Sequence, residues 1–131
     1  MKAQGFDRDP VLRHPIGSSI AYMAADLTYV DAKGRPHTAP TGMPTDGGSI
    51  PRFFWRVIGP PMASVYLPAA IIHDHICYLV DHMATFDVDS AKQLRLTGDK
   101  LFYEMLLFLG VNKAKAWTMY KGVRIGAQGI K

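Results

Sequence analysis

The sequence feature that most constrains the fold is an apolar helical stretch, residues 69–82, that carries ionisable side chains. It contains three of the five histidines and the only cysteine of the chain. At about 100° per residue, one face of this helix collects six positions: Ala69, Ala70, His73, Ile76, Cys77 and Val80. A buried imidazole needs a hydrogen-bond partner, so another part of the fold has to supply one for His73.

Two further stripes of the same helix are more polar. Asp74, Tyr78 and Asp81 form one stripe, and His75 and His82 lie on the other. A transition-metal site built from the histidines and acids of this helix is an alternative. However, the helix has no histidine pair at i,i+4 and no HExxH motif, so surface positions explain His75 and His82 adequately.

The composition is that of a globular protein, with 48% hydrophobic and 20% charged residues in 131. One cysteine cannot form an internal disulfide framework. No apolar run approaches the length of a membrane span, and the N-terminal residues do not resemble a signal peptide. These features predict one domain that folds around its own core.

The predicted fold class is α+β, with a short N-terminal β-hairpin and a three-helix core that contains two long antiparallel helices. The turn signal Asp31–Arg35 joins the two strands of the hairpin, and the residues from Pro36 to Pro40 form an edge strand. The single domain 1–131 divides into an irregular arm (1–18), the hairpin (19–44), a shaped loop (45–61), the helical core (62–126) and a tail (127–131).

The long helices are predicted near 68–82 and 90–109, with a third from Lys113 to about Ile125. In the second helix, Asp99 shares a face with apolar residues, and Gly98 marks either a break or a close approach of two backbones. In the third helix, we expect Trp117, Tyr120 and Val123 to form the buried edge.

His73 and Asp99 are each the polar group on the apolar face of one long helix. Because the two helices must pack together, we expect Asp99 to accept a hydrogen bond from one imidazole nitrogen of His73. Such a bond orients the ring and leaves its other nitrogen available as a general base. The alternative is a buried pair that only fixes the helix register, and both readings remain open.

The loop Asp46-Gly47-Gly48-Ser49 is the second candidate element. Two glycines allow the backbone to approach an ion or a helix closely, so we expect this loop to fold against the start of the His73 helix. Asp46 and Asp74 would then suit a hard divalent cation, of which calcium is the best match. Alternatively, Asp46 only caps its own turn. Ser49 and Cys77 are minor nucleophile candidates.

The C-terminal end of the chain is basic. No acid follows Glu104, whereas five basic residues do: Lys113, Lys115, Lys121, Arg124 and Lys131. We interpret Trp117, Lys121 and Arg124 as a partner surface for a protein or an anionic surface rather than for nucleic acid. A solvated helix face is the simpler alternative.

Four segments together resemble the domain of unknown function 1353 family, over roughly residues 26–126. They are Thr45-Asp46-Gly47-Gly48-Ser49-Ile50-Pro51-Arg52 with Phe54-Trp55, Ala69-Ala70-Ile71-Ile72-His73-Asp74, Gly98-Asp99-Lys100-Leu101-Phe102-Tyr103-Glu104-Met105-Leu106, and Tyr120-Lys121-Gly122-Val123-Arg124-Ile125-Gly126. The resemblance implies a bacteriophage or prophage origin, a location in the host cytoplasm or the assembled virion, and other phage proteins as partners. It implies no activity.

A fainter resemblance, limited to two helices, is to phospholipases of the A-two type. It implies that His73 is the base, that Asp99 orients it, and that Asp74 holds calcium together with the Gly47–Gly48 loop. The present sequence reads His-Asp-x-x-Cys77-Tyr78, one residue longer than the pattern of that family, and it lacks the cysteine of the family's calcium loop.

Two functions follow from these observations. One is a phage-related accessory protein with a hydrolase-like His73–Asp99 dyad, assisted by a divalent cation. The other is a virion structural component of the tail, baseplate or neck, in which the same pair is a buried structural contact. A cleft that reaches the free nitrogen of His73 would favour the enzyme.

Overall fold

A computed structural model describes residues 3–18, 20–45 and 65–127 of the chain. Six short strands precede three α-helices, which confirms the predicted α+β class. The strands are β1 (Gly5–Phe6), β2 (Leu12–Arg13), β3 (Ala21–Met23), β4 (Leu27–Val30), β5 (Pro36–Ala39) and β6 (Pro44–Thr45). The helices are α1 (Leu67–Met83), α2 (Val88–Phe108) and α3 (Lys113–Ala127).

The strands form two antiparallel three-stranded sheets, in the orders β1-β4-β5 and β2-β3-β6. The predicted hairpin is the β4–β5 pair, with Leu27 opposite Ala39 and Val30 opposite Pro36. Its turn contains Gly34 at φ 81°, a left-handed conformation that glycine adopts without steric cost. β5 lies at the edge of its sheet, where the missing N–H of Pro36 is tolerated.

The N-terminal arm differs from the irregular segment that we expected. Its β1 pairs with β4 and its β2 pairs with β3, so the arm contributes a strand to each sheet. Strands of two residues are too short to leave a period in the sequence, which is why the pattern did not show them. Phe6 anchors the arm, with its ring centroid 4.8 Å from that of Tyr29.

The two long helices, α1 and α2, pack against each other as expected for antiparallel neighbours. All six residues of the predicted apolar face of α1 are buried. Gly98 lies within a continuous helix and marks a close approach rather than a break. A Cβ at this position would lie only 2.5 Å from Cγ2 of Ile76, so glycine is required by the helix crossing.

The ends of the helices follow the sequence signals. Asp87 caps α2 by accepting a hydrogen bond from the Ser90 N–H at 3.0 Å, and Asn112 accepts one from the Lys115 N–H at 2.8 Å at the start of α3. Gly110 lies between these helices at φ 87°. Among the described residues, no helix combines the length and the apolar character that crossing a membrane requires.

The buried edge predicted for α3 is partly wrong. Ala116, Met119 and Val123 are fully buried, whereas Trp117 is 48% exposed. Residues at i, i+3 and i+7 share a helical face, and Trp117 lies about 100° away from Ala116 around the axis. The aromatic side chain of Trp117 therefore belongs to the outer surface of the helix.

Candidate functional site

The hydrogen bond predicted between His73 and Asp99 is present. His73 Nε2 lies 2.5 Å from Asp99 Oδ1, and the two residues are 1% and 0% exposed. His73 is inside because it occupies the apolar face of α1, and Asp99 faces it from α2, one residue after the close contact at Gly98. The ring of Phe102 packs beside the imidazole with centroids 4.9 Å apart.

Asp99 also binds two arginines that the sequence analysis did not assign to it. Arg95 Nε donates to Asp99 Oδ1 at 2.9 Å, and Arg124 Nη1 donates to Asp99 Oδ2 at 2.7 Å. Arg95 Nη2 further donates to the Val123 carbonyl at 2.9 Å. We call His73, Arg95, Asp99 and Arg124 the Asp99 cluster, and it connects all three helices.

Only one of these arginines left a signal in the sequence. Arg95 precedes Asp99 by four residues, which places the two side chains on one helical face. Arg124 lies on a different helix, 25 residues from Asp99, and no local spacing indicates its contact.

The contacts within the Asp99 cluster shift the pKa values of His73 and Asp99. Burial disfavours the imidazolium form of His73, but the hydrogen bond to Asp99, the contact with Cys77 and the charges of both together outweigh this effect and raise the pKa to about 9. Burial would raise the pKa of Asp99, but the hydrogen bond and charge of His73, followed by Arg95, lower it. Both shifts favour the charged pair, in which Asp99 is an acceptor only.

Cys77 contacts His73 from one turn further along α1. Its Sγ lies 3.7 Å from Nδ1 and 3.9 Å from Nε2 of the imidazole. Because these two distances are nearly equal, the sulfur does not lie along the lone-pair direction of Nδ1. The contact therefore is not the aligned hydrogen bond of a nucleophile with its base.

A surface cleft of about 280 Å³ lies beside Cys77 and Asp74, and we call it the Asp74 cleft. Asp74 Oδ2 accepts a hydrogen bond from Thr45 Oγ1 at 2.8 Å, so the residue that precedes the glycine loop touches α1. The polar stripe predicted on α1 lines this cleft. Its described lining residues are Ile20, Pro44, Thr45, Asp74, Cys77, Tyr78 and Asp81, without His73.

The rest of the predicted cation site lies outside the described residues. This applies to Asp46, Gly47, Gly48 and Ser49, and thus to the expectation that their loop folds against the His73 helix. Within the described ranges, no group of three or more His, Cys, Asp or Glu side chains is placed to hold a metal ion. The calcium site at Asp74 and Asp46 stays a prediction.

The predicted partner-surface residues lie together on the outer face of α3. Trp117, Tyr120, Lys121, Arg124 and Ile125 border a recess of about 400 Å³, and we call these five residues the α3 shelf. Their spacing of i, i+3, i+4, i+7 and i+8 defines one helical stripe. Lys121 Nζ lies 5.8 Å from the ring centroid of Trp117, within the range of a cation–π contact.

Comparison with other proteins identifies two relatives, both of which are uncharacterized proteins. The chain is 31% identical over 109 residues to the uncharacterized protein y4iH of Sinorhizobium fredii strain NGR234, covering 83% of this chain and 41% of that protein. It is 42% identical over 55 residues to the uncharacterized protein y4jT of the same strain, covering 42% of this chain and 16% of that protein. The chain thus spans less than half the length of either relative. No solved structure matches it.

The family model matches residues 21–123, which extend from β3 into α3. This range includes three residues of the Asp99 cluster and three of the α3 shelf, namely His73, Arg95, Asp99, Trp117, Tyr120 and Lys121. The match covers most of the chain, as the resemblance of the four sequence segments implied. The chain therefore belongs to the protein family of unknown function DUF1353.

Proposed function

We propose that this protein is a phage-related accessory binding protein that holds an acidic partner segment on the α3 shelf. The observation that carries the proposal is the exposure of Trp117 (48%) and Ile125 (50%) beside the cations of Lys121 and Arg124. The family resemblance supports the phage-related origin. A virion component that joins a neighbouring protein through this surface is one form of the same function.

The chemistry of the α3 shelf suits an acidic partner with an apolar anchor. Tryptophan and tyrosine dominate the binding energy of many interfaces because they bury large areas with few rotatable bonds. Lys121 can pair with a carboxylate at the rim, and the part of the Arg124 guanidinium that is not bonded to Asp99 adds positive charge there. The chain has no acid after Glu104 that would repel the carboxylates of a partner. The cations would attract an acidic segment, and the exposed aromatic ring would bind its apolar residue.

In this account, the Asp99 cluster positions the shelf. Arg124 reaches from the shelf to Asp99, and the Val123 carbonyl accepts a hydrogen bond from Arg95. These two bonds fix the rotation of α3, so that Val123 faces the core and Trp117 faces outward. The sealed His73 has no surface role, because a side chain with 1% exposure cannot contact a substrate without rearrangement.

The test is calorimetric titration of the protein with a synthetic peptide of alternating glutamate and leucine. Trp117→Ala should weaken binding by at least about tenfold, as expected for an aromatic anchor, and Lys121→Gln by about threefold. Lys113→Gln is the matched control, since Lys113 is exposed on α3 outside the shelf. Equal binding of the corresponding lysine–leucine peptide would contradict the proposal. So would binding to phosphatidylglycerol vesicles but not to the acidic peptide.

A hydrolase is the second candidate, and one observation favours it. Cys77 and Asp74 line the same cleft, and Cys77 touches the His73–Asp99 pair beneath it. In this hypothesis, His73 activates water or the thiol, and a divalent cation at Asp74 and Asp46 stabilises the oxyanion. The raised pKa of His73 opposes the role of a base at neutral pH.

The enzyme hypothesis is tested with esters, phospholipids and cell-wall fragments, each with and without calcium. His73→Gln should abolish turnover in either case, and Cys77→Ala should abolish it if the thiol is the nucleophile, while the melting temperature shows that each variant remains folded. Absence of turnover on the whole panel, or turnover that survives His73→Gln, would remove this candidate.

A further inference from the structure

A third region, separate from the Asp74 cleft and the α3 shelf, has the character of a small-molecule site. A cleft of about 260 Å³ lies between α1, α2 and β5, and we call it the apolar cleft. Five of its eleven described lining residues are leucine or isoleucine: Ile72, Ile76, Leu79, Leu94 and Leu101. Its volume exceeds the roughly 150 Å³ of an apolar cavity that binds benzene, so it has room for a short alkyl chain.

A second cleft of about 250 Å³ adjoins the apolar cleft and is lined by cations. Lys33, Arg35 and Lys100 border it, and we call it the basic cleft. The two clefts share His37, Thr97 and Leu101, so they lie on either side of a common saddle formed by β5 and α2. An elongated ligand that crosses this saddle would contact an apolar wall at one end and cations at the other.

The acids of the basic cleft are already engaged. Asp31 Oδ2 lies 3.1 Å from Arg35 Nε and 2.9 Å from His37 Nε2, and Tyr29 donates to Glu104 at 2.5 Å. Within the described part of the chain, the ammonium groups of Lys33 and Lys100 form no ion pair. Their positive charge is available to an anionic ligand group.

We propose that this pair of clefts binds a single-chain amphiphile with an anionic head group. The alkyl chain lies in the apolar cleft against Ile76 and Leu101, and the head group lies between Lys33 and Lys100. A carboxylate and a phosphate monoester share this chemistry, and the two sources are separated by the ligands tested. The site uses no residue of the α3 shelf, so it is independent of the proposed partner surface.

The experiment is an NMR titration of the ¹⁵N-labelled full chain with octanoate, octyl phosphate, octanol and octylammonium. Octanoate or octyl phosphate should bind about threefold to tenfold more tightly than octanol, as two exposed ion pairs allow, and octylammonium more weakly than octanol. Whichever anion binds more tightly identifies the head group. Amide shifts should concentrate in β5 and in the middle of α1 and α2.

Two variants locate the ligand. Lys33→Gln with Lys100→Gln should remove the advantage of the anions over octanol and leave the binding of octanol intact. Thr97→Trp should fill the saddle and weaken every probe at least about tenfold, while folding is preserved because Thr97 is exposed. Lys92→Gln, an exposed change on α2 outside both clefts, should alter nothing. Absence of saturable binding, or binding that Thr97→Trp does not weaken, would overturn the proposal.

Discussion

The Asp99 cluster and the α3 shelf share Arg124, yet their polar groups are in opposite situations. In the cluster, Asp99 is fully buried and binds three cationic side chains from three helices. On the shelf, Lys121 is exposed and contacts only the half-exposed ring of Trp117 among the contacts described. One region has its polar groups satisfied within the fold, and the other presents them to solvent.

This difference indicates where binding can occur without loss of the fold. Removing one partner from a buried charge cluster leaves the others uncompensated, so such residues cannot be varied freely. An exposed cation can exchange water for a ligand at little cost to the native state. Ionisable residues in the interior, such as His73 and Asp99, can therefore stabilise the fold while exposed residues bind a partner.

The largest expected effect comes from removing the charge at the centre of the cluster. Asp99→Asn should lower the free energy of unfolding by about 3–5 kcal/mol, because Arg95 and His73 would lose their buried counter-ion. Urea denaturation measures this change. Asp81→Asn, an exposed carboxylate on α1, should change stability by less than about 0.5 kcal/mol. A loss below about 1 kcal/mol for Asp99→Asn would show that the cluster does not hold the helices together.

The second prediction concerns pH. Because the pKa of His73 is raised to about 9 in the folded state, its stabilising contribution is complete below the unfolded pKa of about 6.5 and is lost as the pH rises to 9. The loss should be about 3 kcal/mol, since one pKa unit corresponds to about 1.4 kcal/mol. Denaturation of the wild-type protein at pH 6 and pH 9.5 measures it, because the contact with Cys77 contributes to the raised pKa of His73. His73→Gln should flatten this dependence, and an equal slope in both proteins would contradict the assignment.

The helix crossing beside the cluster provides the third prediction. Gly98→Ala should lower the free energy of unfolding by about 1–3 kcal/mol, because the new Cβ would overlap Cγ2 of Ile76. This loss would occur although alanine favours a helix over glycine by about 1 kcal/mol. Ile76→Leu removes the Cγ2 branch, so the double variant should recover part of the lost stability. A stabilising Gly98→Ala would mean that the helices do not meet at this point.

The smallest effect on stability is expected on the shelf. Lys121→Gln should change the free energy of unfolding by less than about 0.5 kcal/mol, because within the described part of the chain its cation contacts only the half-exposed ring of Trp117. Thermal denaturation of this variant beside Asp99→Asn gives the comparison directly. A loss of more than about 1 kcal/mol would place Lys121 in the structural framework.

The helices and the His73–Asp99 contact were predictable because both depend on local periodicity. The predicted apolar face of each long helix carried one polar group, which allows few other pairings, although Arg95 of α2 is buried as well. Arg124 was not predictable as a partner of Asp99, since its contact depends on how α3 rotates after it packs. The exposure of Trp117 has the same origin: a large aromatic residue is usually buried, and only the packed helix shows which stripe faces the core.

The strands of the N-terminal arm could not be predicted from the sequence, for a different reason. The short strands β1 and β2 are specified by their partners β4 and β3 rather than by their own residues. Strand propensity depends strongly on such neighbours, so a two-residue strand has little signal of its own. The hairpin β4–β5 was visible because its turn and its branched residues are local.

The most direct test of the division between framework and binding surface is to map the acidic glutamate–leucine peptide onto the protein by NMR. We expect amide shifts confined to α3 around Trp117 and Lys121, with the same affinity in a folded His73→Gln variant and a loss of about tenfold or more in Trp117→Ala. Shifts centred on Asp74 and Cys77 would contradict this expectation and would place the functional site at the Asp74 cleft. Binding abolished in a folded His73→Gln variant would contradict the separation of framework and binding surface.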